Sequence, residues 1–387
     1  MLPPSPRTTA PLYEQHAARQ SPPWESLASY HIAVVIPAYN EARHIGQVLA
    51  DLPSFLRTII VVDDCSRDNT SEIVQQLAHA DPRIVLIRHE KNQGVGGAMV
   101  SGFKAALQRQ AQIVVKLDGD GQMAASDLAS LLRPLILGTA DYAKGNRFRD
   151  FQALAQMPPL RRAGNMALSF LTKAAVGYWT CFDPCNGYIA IRAEVLAAIP
   201  LDKIHKSYFF ETSMLSQLYL LGAVLCDVPM PARYGTEVSH LSITRVLGEF
   251  PPKLGWSLLR RLILKNFLYD FSIGSLYLVA GLLLSIAGTL YGGINWIYYA
   301  RLGEGAPTGT VVIPSMLIVI GIQLLLAAIA EDLRSTPTVP LCGPLAPLPQ
   351  SSAVPASLVE GDTPIVSDKS SITTSLGRKS TSPPPVT

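Results

Sequence analysis

Charge is scarce in this sequence. Of its 387 residues only 16% are Asp, Glu, Lys or Arg, against 48% that are apolar. That balance is low for a purely soluble enzyme and points to a membrane segment. The five cysteines, Cys65, Cys181, Cys185, Cys226 and Cys342, form no CxxC pair and leave one odd, so a reducing compartment is the simpler reading. A net charge of +3 is too weak to argue for nucleic acid, and no basic run is interleaved with aromatics. Residues 1–29 are rich in Pro, Ser and Ala and hold no apolar h-region. They read as a disordered arm rather than a signal peptide. No Gly-Lys-Ser/Thr phosphate loop and no internal repeat occur.

What is present begins at His31. Ile32–Ile36, Thr58–Val62 and Arg83–Ile87 are apolar runs that read as buried strands. Each is followed by a helical stripe: Ile45, Val48 and Leu49 within 41–52, then Ile73, Val74 and Leu77, then the segment 94–107. Strands alternating with helices predict an α/β domain whose mostly parallel sheet is covered by helices on both faces. Ligands bind such sheets at the carboxyl ends of the strands. Pro37–Asn40, Asp63–Ser66 and Asp118–Gln122 all fall at that edge.

Asp118-Gly119-Asp120-Gly121-Gln122 follows the strand Ile113–Val115. Two carboxylates at i and i+2 in a tight turn suit Mg²⁺ or Mn²⁺, completed by waters and substrate phosphates; a solvated turn has the same composition. Asp63 and Asp64 can accept hydrogen bonds from a base or a ribose, or can face the dipole of the helix that begins at Asp68-Asn69. Gly94-Val95-Gly96-Gly97 either touches ligand or lets a helix approach the sheet closely.

Two uncharged runs follow the globular part, 273–294 and 308–330. About 22 residues of helix reach roughly 33 Å, enough for a bilayer core of about 30 Å. A buried helical hairpin is the alternative. Lys253, Arg260, Arg261 and Lys265 precede the first run, against Arg301 in the connection, which places the globular domain in the cytoplasm. The segment 242–266 has the composition of an interfacial helix with its basic groups toward anionic lipid, or of a simple linker helix. The expected divisions are an arm (1–29), a catalytic domain (30–240), juxtamembrane helices (241–270), two spans (271–333) and a disordered Ser/Thr/Pro-rich tail (334–387).

Ile36–Glu41, Val61–Thr70, Asn92-Gln93-Gly94 and Asp118–Gln122 resemble the family 2 glycosyltransferases of GT-A fold. Gly145-Asn146-Arg147, Arg161–Asn165, Asp183–Tyr188 and Tyr234–Ser239 narrow the resemblance to the polyprenyl-phosphate glycosyltransferases, over roughly residues 31–333. The resemblance implies a membrane-bound inverting enzyme that moves a sugar from a UDP- or GDP-sugar to undecaprenyl or dolichyl phosphate, in the bacterial inner membrane. By position, Pro37, Tyr39, Glu41 and Asp64 would line the nucleotide site. Asp118, Asp120 and Gln122 would hold Mg²⁺ or Mn²⁺ and the diphosphate. Arg147 with Arg161 and Arg162 would meet the acceptor phosphate or the departing diphosphate, and Glu211 would lie near the sugar. Cys65 departs from the pattern, which commonly has Gly there. Homo-oligomerisation is left open. A transferase with a sugar hydroxyl as acceptor and a non-catalytic binding subunit are the alternatives. The Gln-x-x-Arg-Trp motif of processive synthases is lacking, and Asp118, Asp120 and Arg147 are intact.

Overall fold

The computed structural model describes residues 24–147, 159–184, 186–231, 243–269 and 271–348. The Tyr234–Ser239 motif, Cys185, and most of the expected arm and tail lie outside them.

Seven strands form one sheet in the order β3-β2-β1-β4-β6-β5-β7. In chain order the elements are β1 (Ile32–Ala38), α1 (Ile45–Ala50), β2 (Thr58–Asp63), α2 (Thr70–Ala80), β3 (Ile84–Arg88), α3 (Val95–Gln108), β4 (Ile113–Lys116), α4 (Leu128–Ile136), β5 (Tyr142–Asn146), α5 (Pro159–Val176), β6 (Ile189–Arg192), α6 (Ala193–Ala198), α7 (Phe210–Leu221) and β7 (Leu225–Pro229). The expected mostly parallel sheet is present. β1 pairs in parallel with β2 and β4, β2 with β3, and β5 with β7, while β6 runs antiparallel to β4 and β5. Because β6 is reversed, the loop that enters it shares an edge with the ends of β1, β2, β4 and β5.

Strands buried on both faces read as continuous apolar runs because alternate residues feed different cores. Ile32, Val34 and Ile36 join Ile59, Val61 and Val115 under α1 and α4. Ala33 and Val35 join Ile60, Val62 and Val114 under α3 and α7, against Phe103, Phe210 and Met214. The helix expected over 41–52 is shorter, beginning at Ile45. Residues 40–42 instead give their backbone N–H groups to Ser66 Oγ, Thr70 Oγ1 and Asp68 Oδ2.

α8 (Ile243–Ile263) packs on the globular part through Leu254 and Leu258, which meet Ala175 and Phe209. A π-helical turn, Leu264–Tyr269, leads to α9 (Ile273–Leu302) and α10 (Thr308–Arg334). Both are long and apolar enough to cross a membrane. They approach closely at small residues: a Cβ on Gly281 would lie 3.0 Å from Gly321 O, and one on Gly288 2.9 Å from Pro314 O.

Three expectations fail here. The arm expected to reach residue 29 is ordered from Trp24, and Leu27 is buried in the core. The tail expected to be disordered from 334 is an ordered strap over 335–348. Asp141, buried at the start of β5, accepts the backbone N–H groups of Leu341 and Cys342 at 2.9 Å. Leu345 enters the core and donates to Ile136 O, and Arg192 Nη1 donates to Gly343 O. A buried carboxylate satisfying the strap's N–H groups outweighs a composition that is poor in local structure. Third, Arg261 and Lys265 do not face lipid. Both bind Asp332 near the end of α10, at 2.7 and 2.9 Å. Asp332 also accepts Trp179 Nε1, and Arg261 Nη2 donates to Ala174 O. An arginine whose side chain is only 2% exposed requires such a counter-charge.

Candidate active site

The loops after β1 and β2 interlock. Asn40 and Cys65 both adopt left-handed backbone, φ 59 and 65, and Asn40 Oδ1 accepts Arg67 N–H at 2.8 Å. Cys65 therefore holds the conformation a glycine would take at lower cost. Asp63 accepts Ser66 N–H and Ser71 Oγ, at 3.0 and 2.9 Å. The Asp64 carboxylate, expected to face the nucleotide, is engaged within the protein. It accepts Gln93 N–H and Gly94 N–H at 2.8 and 2.7 Å and pairs with His89 Nδ1 at 2.7 Å. It thus fixes the 92–94 loop at the sheet edge. The glycine cluster serves close packing, Gly96 N–H donating to Lys206 O. Tyr39 projects into solvent, while Pro37 and Glu41 are half-buried against Gly119.

Asp118 leaves β4 beside Lys116, a residue passed over in the sequence. The Lys116 side chain is 2% exposed and its Nζ lies 2.6 Å from Asp118 Oδ1 and 3.6 Å from Glu211 Oε1. Burial pulls the lysine pKa down, and the carboxylates of Asp118, Glu211 and Asp120 more than reverse it, so the net direction is upward. The signal was a lone lysine in the run Ile-Val-Val-Lys-Leu, which a buried strand tolerates only when it is paired. Gly187, entering β6, passes directly over this pair; a Cβ there would stand 2.6 Å from Asp118 Oδ2. Asp120 Oδ1 accepts Gln122 N–H, closing the turn. Glu211 reaches the group from the first turn of α7.

Arg147, just past β5, is gripped by the buried Asp183, Nε at 2.8 Å and Nη2 at 3.2 Å. Beside it Asp227 accepts Asn146 Nδ2 and Phe182 N–H, while its Oδ1 is buried with no partner among the described residues. Burial raises the Asp227 pKa to about 6. Lys144, fully buried, donates to Asn186 O. The structure therefore brings Asp118, Asp120, Glu211 and Arg147 to one sheet edge. Arg161 and Arg162 lie in the first turns of α5, and their side chains are outside the described residues.

Among the described residues no cluster of three or more His, Cys, Asp or Glu side chains forms a metal shell from protein alone. Asp118 and Asp120 supply hard oxygen donors, the type Mg²⁺ and Mn²⁺ take with one or two carboxylates plus substrate phosphate. The residues fit such an ion when a diphosphate completes it.

Residues 33–199 match the model of glycosyl transferase family 2. The UDP-N-acetylglucosamine–dolichyl-phosphate N-acetylglucosaminyltransferase of Methanococcus voltae is 36% identical over 186 residues, 45% of this chain and 74% of that protein. The undecaprenyl-phosphate mannosyltransferase of Micrococcus luteus is 31% identical over 202 residues, 51% of this chain and 82% of that protein. Among solved structures, glucosyl-3-phosphoglycerate synthase from Mycobacterium tuberculosis superposes with a TM-score of 0.47 at 21% identity, covering 62% of this chain and 82% of that one. The chain belongs to glycosyl transferase family 2, as a relative of the polyprenyl-phosphate glycosyltransferases that carries two long apolar helices after its α/β domain.

Proposed function

We propose that this glycosyltransferase moves a sugar from a UDP- or GDP-sugar to a polyprenyl phosphate at a membrane surface, with the α/β domain in the cytoplasm and α9 and α10 spanning the bilayer. The observation that carries this reading is the attachment of the apolar hairpin to the site-bearing domain. Asp332 binds Arg261, Lys265 and Trp179. Arg261 and Lys265 lie over Tyr219, in the last turns of the same α7 that presents Glu211. Those two residues are roughly 12 Å apart along the helix. The relatives named for dolichyl and undecaprenyl phosphate support the acceptor class.

In this reading Pro37, Tyr39 and Glu41 border the nucleoside, and Asp64 holds the 92–94 loop in place beside it. Asp118, Asp120 and Gln122 would hold Mg²⁺ or Mn²⁺, which supplies charge neutralisation of the leaving diphosphate when bound. Asp183 orients the Arg147 guanidinium, whose fork suits a phosphate oxygen pair, with Arg161 and Arg162 assigned to the same anionic groups. A phosphate monoester, with a second pKa of about 6, is mostly dianionic at neutral pH. It needs orientation rather than a general base, which is why guanidinium groups matter here more than a carboxylate base. Glu211 and Lys116 border the sugar as a fixed ion pair.

The test is transfer by the purified full chain from labelled UDP- and GDP-sugars to a prenyl phosphate with Mg²⁺ or Mn²⁺. The expected product is an acid-labile lipid-linked sugar. Asp120→Asn should lower the rate about 10²–10³-fold with the fold retained. Normal rates in that variant, or sugar appearing only on a hydroxyl acceptor, would overturn the reading.

A further inference from the structure

A groove of about 380 Å³ runs between α7 and α8. Phe209, just before α7, and Ser213, Gln217 and Leu220 on it line the groove, while Glu211, on another face of the helix, reaches Lys116. The volume falls in the range of small-ligand sites, about 300–1,000 Å³.

Its lining combines two chemistries. Lys203 and His205 come from the globular domain and Lys253 and Arg260 from α8, so two pairs of basic side chains, more than 40 residues apart in sequence, converge on one opening. Between them lie Trp256, Leu220 and the Phe209 ring. Gln217 is nine-tenths buried, and no hydrogen bond reaches its amide among the described residues. Arg261 closes one end, and its Nε is buried with no partner there. The Gln217 amide opens on the groove and can donate to a ligand held there. Lys203, Lys253, Arg260 and Arg261 line it and no carboxylate does, so its charge suits an anion.

Its surroundings define what kind. Trp256, Leu259 and Ile263 form an exposed apolar stripe on α8 at i, i+3 and i+7, and Phe267, Leu268 and Phe271 continue it toward α9. A helix with one face on the domain and an exposed aromatic–aliphatic stripe on another lies at a membrane surface, which puts the groove at headgroup depth. We propose that the groove holds the phosphate-bearing headgroup of an anionic membrane phospholipid, its acyl chains following the Trp256–Ile263 stripe into the bilayer. The ligand is a resident lipid, distinct from the acceptor. The site rests on the reading of α9 and α10 as membrane spans and is independent of the sugar-transfer chemistry.

The full chain, purified in neutral detergent, is exposed to phosphatidylglycerol, to phosphatidylcholine with the same acyl chains, and to inorganic phosphate. Retained lipid is counted by native mass spectrometry and stabilisation is read by thermal shift, with UDP binding measured on the same samples. Phosphatidylglycerol should be retained and should raise the melting temperature above the other two arms. The triple variant Lys203→Gln, Lys253→Gln, Arg260→Gln should bind it about fivefold more weakly for each charge removed. Gln217→Leu should weaken it separately, and UDP binding should be unchanged in both. Equal retention of the two lipids, equal retention by the triple variant, or equal stabilisation by inorganic phosphate overturns the proposal. Competition by a prenyl phosphate also overturns it, since the groove would then belong to the acceptor. Loss of UDP binding in the wild type with lipid retention intact would count against the transferase reading alone.

Discussion

Two buried groups near the sheet edge set the electrostatics of the site. Lys116 brings a positive charge among Asp118, Asp120 and Glu211, which holds those carboxylates together. On the proposed reading, a divalent ion at Asp118 would share it with the ammonium, which would favour a site completed by diphosphate over one that binds the ion alone. Asp227 is the opposite case, a carboxyl whose burial opposes ionisation. With a folded pKa of about 6 against the ordinary 3.8, the folded chain keeps a proton there that the unfolded chain has released. Stability from this group is therefore full below about pH 4 and is lost as the pH rises to about 6. The span corresponds to roughly 3 kcal/mol at most. Asp227→Asn should remove the slope while keeping an acceptor for Asn146 and Phe182. Melting temperatures of wild type and variant at pH 4, 5, 6 and 7 should converge at the acid end and separate above it. Parallel curves would show that the carboxyl titrates normally.

At the scale of elements, α8 and α10 meet through one carboxylate. Asp332→Asn leaves Arg261 buried without a counter-charge, which should cost about 3–5 kcal/mol. Arg261→Met in the same chain should recover much of that, because an apolar side chain of similar length needs no partner. A double variant no more stable than the single one would mean that the contact orients α10 rather than balancing charge. This pair also marks the limit of reading elements from sequence. The strands of the sheet were legible because each buries both faces and so reads as an unbroken apolar run, and the strand-end loops followed from the parallel order. The spans were legible as well, although α9 continues past the uncharged run to Leu302. What was not legible depended on distant partners. Arg261 and Lys265 look like lipid-facing charges until Asp332, some 70 residues on, is folded against them. Lys116 looks like a strand terminus until Glu211 arrives. The helix expected from residue 41 begins only at Ile45 because Asp68, Ser66 and Thr70, from the next loop, take the N–H groups that a first helical turn would leave open.

At the scale of the whole molecule, the strap after α10 returns the chain to the α/β domain. A chain ending at Arg334 should be less stable than one ending at Pro349, and the latter should match the full chain. Exposing the Leu345 contact alone is worth about 1.5–3 kcal/mol, equivalent to roughly 3–12 °C for a domain of this size. Equal melting temperatures for all three would show that the strap rests on the domain without supporting it. The strap and the Asp332 cluster together fasten both feet of the hairpin to one base: α9 follows α8 through the π-helical turn, and residues 335–348 are bonded to Asp141 before β5, to α4 and to β6. The segment from Arg261 to Cys342 is therefore a ring closed without a covalent bond, and the turn at Gly303–Pro307 carries none of its closure. Two polypeptides divided within that turn, one ending at Glu304 and the other beginning at Gly305, should assemble into the intact architecture when made together.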